Sequence, residues 1–243
     1  MIGEDMKTPW ILIITLVAAA FLSGGAALAQ QDDESAFRVA VLGDSLGAGR
    51  GLPAKKAFPA RLEEALREKG HDVDVLDMSV SGDTTAGGLA RLEWLLEAQP
   101  DMVIVELGGN DALRGLDPER TRANLDAILS RLKEADITVL LAGMRAPRNL
   151  GRDYYNKFDR IYPELADKHD VALYPFFLEG VAGNPEMNQS DGIHPTAEGV
   201  EEIVHRILPM VRRLLDEQVT SGPSSSMSFA INPLVDVLPF GDV

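Results

Sequence analysis

The chain has 243 residues, of which 45% are hydrophobic and 25% charged, the make-up of a globular protein with one sizeable core or two small ones. Its formal charge of −15 leaves no basic surface to neutralise phosphates, which argues against a nucleic-acid partner. With no cysteine, disulfides, thiolate catalysis, Cys-based metal sites and lipid attachment through an N-terminal Cys are excluded.

In chain order, Lys7 precedes an apolar run from Trp10 to Leu22 and small residues ending in Ala27-Leu28-Ala29. This reads as a signal peptide over residues 1–29, cleaved after Ala29, followed by a short linker over 30–36. The run is short for a bilayer span, so an uncleaved anchor is the lesser alternative. Glu4 and Asp5 sit badly in a positively charged leader, which points to Met6 as the functional start. The mature protein is then periplasmic or secreted.

From Phe37 apolar runs alternate with helical patterns. Strands are expected at Phe37–Gly43, Val73–Asp77, Met102–Leu107, Ile137–Ala142 and Val171–Tyr174. Helices are expected at Pro59–Lys69, Thr84–Ala98, Pro118–Ala135, Tyr154–His169 and Glu198–Leu215, the last kinked or split by Pro209. Such alternation means an α/β domain, residues 37–216, with a parallel sheet covered on both faces. Beyond it, Gly222-Pro223-Ser224-Ser225-Ser226 reads as a linker within a C-terminal tail, 217–243. Its apolar, Pro-broken end reads as frayed, with a strap docked on the body as the alternative.

Four islands of small and polar residues punctuate this pattern: Val41-Leu42-Gly43-Asp44-Ser45-Leu46, Ser79-Val80-Ser81-Gly82-Asp83-Thr84, Leu107-Gly108-Gly109-Asn110-Asp111 and Asp191-Gly192-Ile193-His194-Pro195. The first three fall at the carboxyl ends of strands, where ligands bind in sheets of this kind. Ser45 alone is ordinary turn chemistry. Asp191 and His194 alter that reading, because a serine hydroxyl is a weak nucleophile until a base of fixed tautomer takes its proton. Asp191 can accept from one imidazole nitrogen while the other faces Ser45, and Pro195 restricts the backbone of His194. Gly82 can offer an unobstructed main-chain N–H, and Asn110 a side-chain amide, to the oxyanion of a tetrahedral acyl intermediate. His71, His169 and His205 read as surface or packing residues.

Gly43-Asp44-Ser45-Leu46-Gly47 also fits the G-x-S-x-G elbow of α/β-hydrolases. There, however, the serine lies deep in the chain and the acid and His come from separate loops; here Ser45 follows the first strand and the acid and His share one loop. A dinucleotide fingerprint fails too, because Leu52 takes its third glycine position.

These residues resemble the SGNH (GDSL) hydrolase family over Phe37–Leu215. Ser81–Thr85, Leu107–Asp111 and the stretch Arg145–Phe177, with Asn149–Arg152 and Tyr174–Phe177 inside it, are similar to its bacterial periplasmic thioesterase, lysophospholipase and arylesterase branch. The resemblance implies a three-layer α/β/α sandwich around a flavodoxin-like, five-stranded parallel sheet. It implies Ser45 as nucleophile, His194 as base, Asp191 as its orienter, and an oxyanion hole from the Ser45 N–H, Gly82 and Asn110. Asp44, Leu46, Arg145, Pro147, Asn149 and Ile193 are then expected to contact substrate, with Arg145–Gly151 resembling that branch's mobile substrate loop. The tail after Leu215 has no counterpart in the family. The expected reaction is hydrolysis of carboxylic esters and thioesters by a monomer acting on a small acyl substrate, without metal or cofactor and without membrane insertion after signal cleavage. The rivals are a carbohydrate acetyl esterase on the same fold and a non-catalytic acyl- or glycan-binding protein.

Overall fold

The computed structural model describes residues 36–221. The expected signal peptide and its cleavage site, nearly all of the 30–36 linker, and the tail beyond residue 221 lie outside them. Five strands form one parallel sheet: β1 (Phe37–Gly43), β2 (Val73–Asp77), β3 (Met102–Glu106), β4 (Thr138–Ala142) and β5 (Ala172–Tyr174), in the order β2-β1-β3-β4-β5. Every residue of β3 is buried, as its apolar run requires of a central strand covered on both faces.

Eight α-helices accompany the sheet among the described residues: α1 (Phe58–Glu68), α2 (Thr85–Ala90), α3 (Leu92–Glu97), α4 (Gly109–Leu113), α5 (Pro118–Glu134), α6 (Arg152–Asp159), α7 (Ile161–His169) and α8 (Ala197–Ser221). Right-handed crossovers place helices that link strands in opposite directions on opposite faces. The β1-to-β2 link carries α1, which packs against α8, while α5, from the β3-to-β4 link, packs against α2 and α7. The result is the expected three-layer sandwich. Because β1 connects outward to β2 while β3 connects outward to β4, a crevice opens between the carboxyl ends of β1 and β3.

Three helical expectations are corrected. Thr84–Ala98 is two helices, broken at Arg91, whose guanidinium turns inward to the Gly43 and Met78 carbonyls and the Asp83 carboxylate. Tyr154–His169 is also two helices, and the first begins earlier, at Arg152. Pro163 lacks an N–H and crowds the carbonyl four residues back, at Asp159, where α6 ends. Pro209, in contrast, does not split α8, which runs unbroken past it and past the expected end at Leu215.

Candidate active site

Ser45 sits in the turn that follows β1. The Ala48 N–H donates to the Asp44 carbonyl and the Arg50 N–H to that of Ser45, both at 3.0 Å, while the Asp44 carboxylate accepts the Leu46 N–H at 2.9 Å. These bonds curl the backbone tightly around a serine that is only 7% exposed.

The imidazole that faces Ser45 comes from the loop before α8. Gly192 adopts a φ of 70°, and the Asp191 carboxylate accepts the N–H groups of Ile193 and His194, which closes a compact turn. His194 Nδ1 lies 2.6 Å from Asp191 Oδ2, and His194 Nε2 lies 2.9 Å from Ser45 Oγ. Residues 149 positions apart thus form one unbroken chain of hydrogen bonds. The His194 main-chain N–H, its ring and the Ile193 N–H together hold the Asp191 carboxyl well below the ordinary carboxylate range. Gln189 fastens the two loops, since its amide donates to the carbonyls of both Arg50 and Pro195.

Asn110 lies in α4, immediately beyond β3. Gly108 caps this helix at a φ of 110°, and a Cβ there would meet the Tyr162 hydroxyl at 2.1 Å, so only glycine fits. The Asn110 amide donates to Asp44 Oδ2 at 3.0 Å and to the Asp83 carbonyl at 2.9 Å, which ties the loops after β1, β2 and β3 together. Gly82, at a φ of 88°, gives its carbonyl to Arg114. Among the described residues, neither the Ser45 N–H nor the Gly82 N–H has an acceptor.

Two residues that organise this site were given no role from the sequence. Asp111, buried beside Asn110, accepts from the Thr85 N–H and from the Thr85 and Thr121 hydroxyls, anchoring α4 to α2 and α5. Glu106 is fully buried at the end of β3 and accepts the N–H groups of Asp44 and Gly47. A lone acid within Met-Val-Ile-Val-Glu-Leu was the available signal. Burial pushes the Asp44 carboxyl up to about 6, against the pull of its bonds to the Leu46 N–H and the Asn110 amide. Burial and the nearby Asp44 charge push Glu106 well above its ordinary value.

A cleft of about 750 Å³ opens over Ser45 and His194. Of the expected substrate contacts, Asp44, Leu46, Arg145, Pro147 and Ile193 line it, as does Asn110. Asn149 does not: it stands exposed in a short 3₁₀ turn, Arg148–Leu150. Gly82 is also absent from the lining. Leu113, Met144, Phe176 and Leu178 add apolar surface that sequence periodicity could not separate from the core. No cluster of His, Cys, Asp or Glu able to hold a metal ion occurs among the described residues. The arrangement offers a hydroxyl hydrogen-bonded to an imidazole beneath an apolar slot, with the Ser45 N–H unengaged.

Residues 41–201 match the GDSL-like lipase/acylhydrolase family. The chain belongs to that family. It is 45% identical over 166 residues to an arylesterase of Vibrio mimicus, covering 68% of this chain and 83% of the relative. It is 47% identical over 159 residues to thioesterase 1/protease 1/lysophospholipase L1 of Escherichia coli, covering 65% of this chain and 75% of that protein. The crystal structure of TesA superposes with a TM-score of 0.70 at 41% identity, over 73% of this chain and 99% of that one. The family's parallel-sheet architecture is therefore the one described above.

Proposed function

We propose that this family member hydrolyses carboxylic esters and thioesters through an acyl-enzyme on Ser45. The observation that carries this is the relay from Ser45 Oγ through His194 to Asp191, with spacings of 2.9 and 2.6 Å, beneath an apolar cleft. His194 accepts the Ser45 proton as the hydroxyl attacks the substrate carbonyl carbon, and Asp191 stabilises the imidazolium that forms. The oxyanion is met by the N–H groups of Ser45 and Gly82 and by the Asn110 amide. His194 then gives its proton to the departing alcohol or thiol, and water repeats the sequence to release the acid.

The apolar lining from Leu46, Leu113, Phe176 and Ile193 favours acyl and aryl groups over the acetyl groups of a sugar. Among the described residues no helix is long and apolar enough to cross a membrane. Export with cleavage after Ala29 accounts for the apolar leader, and N-terminal sequencing of secreted material checks it.

Ser45→Ala should abolish turnover of p-nitrophenyl esters while the fold stays intact. A p-nitrophenyl alkylphosphonate should label Ser45 in the unaltered protein, which a binding protein lacking catalysis would not permit. Residual activity of the alanine variant above about a few per cent would reject the assignment, since loss of a nucleophile costs orders of magnitude in rate.

A further inference from the structure

Glu106 touches neither the cleft nor the relay, yet it is fully buried directly behind the nucleophile. Its Cα pairs with that of Gly43 across β1 and β3, so its side chain leaves the sheet where the nucleophile turn begins. Oε2 accepts the Asp44 N–H at 3.1 Å and the Gly47 N–H at 3.0 Å, the two donors that bracket Ser45. The sequence makes room for this carboxyl. A Cβ at Gly43 would lie 2.8 Å from Oε2, and one at Gly47 would lie 3.2 Å away. Oε1 has no partner among the described residues, and neither does the buried Ser79 hydroxyl, which would stand 2.5 Å from a Cβ at Gly47. A buried carboxyl with an unsatisfied oxygen is costly to the fold, so its place here needs a reason beyond packing.

We propose that Glu106 is a positioning residue for catalysis: by gripping the N–H groups on both sides of Ser45, it holds the Ser45 hydroxyl at hydrogen-bonding distance from His194. This rests on the reading of Ser45 as the nucleophile. Without the acceptor, the Asp44 and Gly47 N–H groups lose their partner and the turn relaxes toward other acceptors. Displacement of a reacting atom by about 1 Å costs on the order of a hundredfold in rate. The elevated proton affinity of Glu106 makes Gln its nearest mimic, since an amide oxygen can accept the same two N–H groups.

The test compares Glu106→Gln, Glu106→Asp and Glu106→Met with the unaltered protein. The readouts are kcat and KM on p-nitrophenyl butyrate, the rate of Ser45 labelling by a p-nitrophenyl alkylphosphonate, and thermal melting. Glu106→Gln should stay within about threefold in kcat. Glu106→Met should lose about tenfold to a hundredfold in kcat and labelling rate, with KM within about twofold. Glu106→Asp, one methylene too short to reach both donors, should show the same kind of loss and decides the matter where the Met variant fails to fold. Folded Asp or Met variants that label at the unaltered rate would overturn the inference, as would a kcat loss beyond about tenfold in Glu106→Gln. Failure of the unaltered protein to label at Ser45 would instead reject the nucleophile assignment itself.

Discussion

Asn110 Nδ2 donates to Asp44 Oδ2 at 3.0 Å, and its other N–H donates to the Asp83 carbonyl. Both protons of the amide are thus engaged before any substrate arrives. The Asp83 bond fixes the plane of the amide, while the Asp44 bond faces the cleft that both side chains line. In the proposed reaction, an oxyanion forming over Ser45 must share or displace that second bond. The Asp83 bond leaves the plane of the amide already set, so only the Asp44 bond has to give way as charge develops. Asn110→Ala should lower kcat by about 10²–10³ with a smaller change in KM. Steady-state kinetics on a p-nitrophenyl ester checks this, and a loss under about threefold would reduce Asn110 to a tie between loops.

The same Asp44 gives the fold a pH signature. Its carboxyl is raised from 3.8 to about 6, chiefly by burial. Between those values the unfolded chain releases this proton while the folded chain keeps it, so stability falls as pH rises and levels off above about 6. Asp44→Asn has no proton to exchange there, and it also removes the charge that helps to raise Glu106. Relative to the unaltered protein, the variant should therefore gain stability as pH rises through this window. The gain is on the order of 2–3 kcal/mol at about 1.4 kcal/mol per pKa unit. Denaturant unfolding of both proteins below pH 4 and above pH 7 measures it, and a constant difference would show that burial does not perturb Asp44.

The architecture was legible because hydrophobic period and strand-end punctuation agree: apolar runs place β1 to β5 within a residue or so, and the four islands fall where the sheet opens. Asp191 and His194 were legible because both lie in one short loop. Glu106 was not, since a run of buried residues hides an acid whose partners, the Asp44 and Gly47 N–H groups, lie some sixty residues earlier. Asn149 shows the opposite limit. The family resemblance marked it as a substrate contact, but whether a loop residue faces a cleft depends on tertiary placement, which turn chemistry alone does not encode. The breaks at Arg91 and Arg160 escaped notice for a similar reason: an apolar stripe at helical spacing continues through a reoriented pair of short helices.

Pro209 poses the converse problem, a helix breaker that breaks nothing. It stands exposed in the middle of α8, whose buried stripe of Ile203, Val204, Ile207, Val211, Leu214 and Leu215 continues on both sides. Proline there removes one main-chain hydrogen bond and sets its ring against the carbonyl of His205. The helix holds because α8 packs against α1 along its buried face, so tertiary burial overrides local propensity. Pro209→Ala should restore the missing bond and raise stability by about 1–3 kcal/mol. Pro209 is not among the residues that line the cleft, so kcat should be unchanged. Denaturant midpoints and p-nitrophenyl ester turnover check the two halves of this prediction. A variant no more stable than the unaltered protein would mean that α8 has already adjusted around the ring at no net cost.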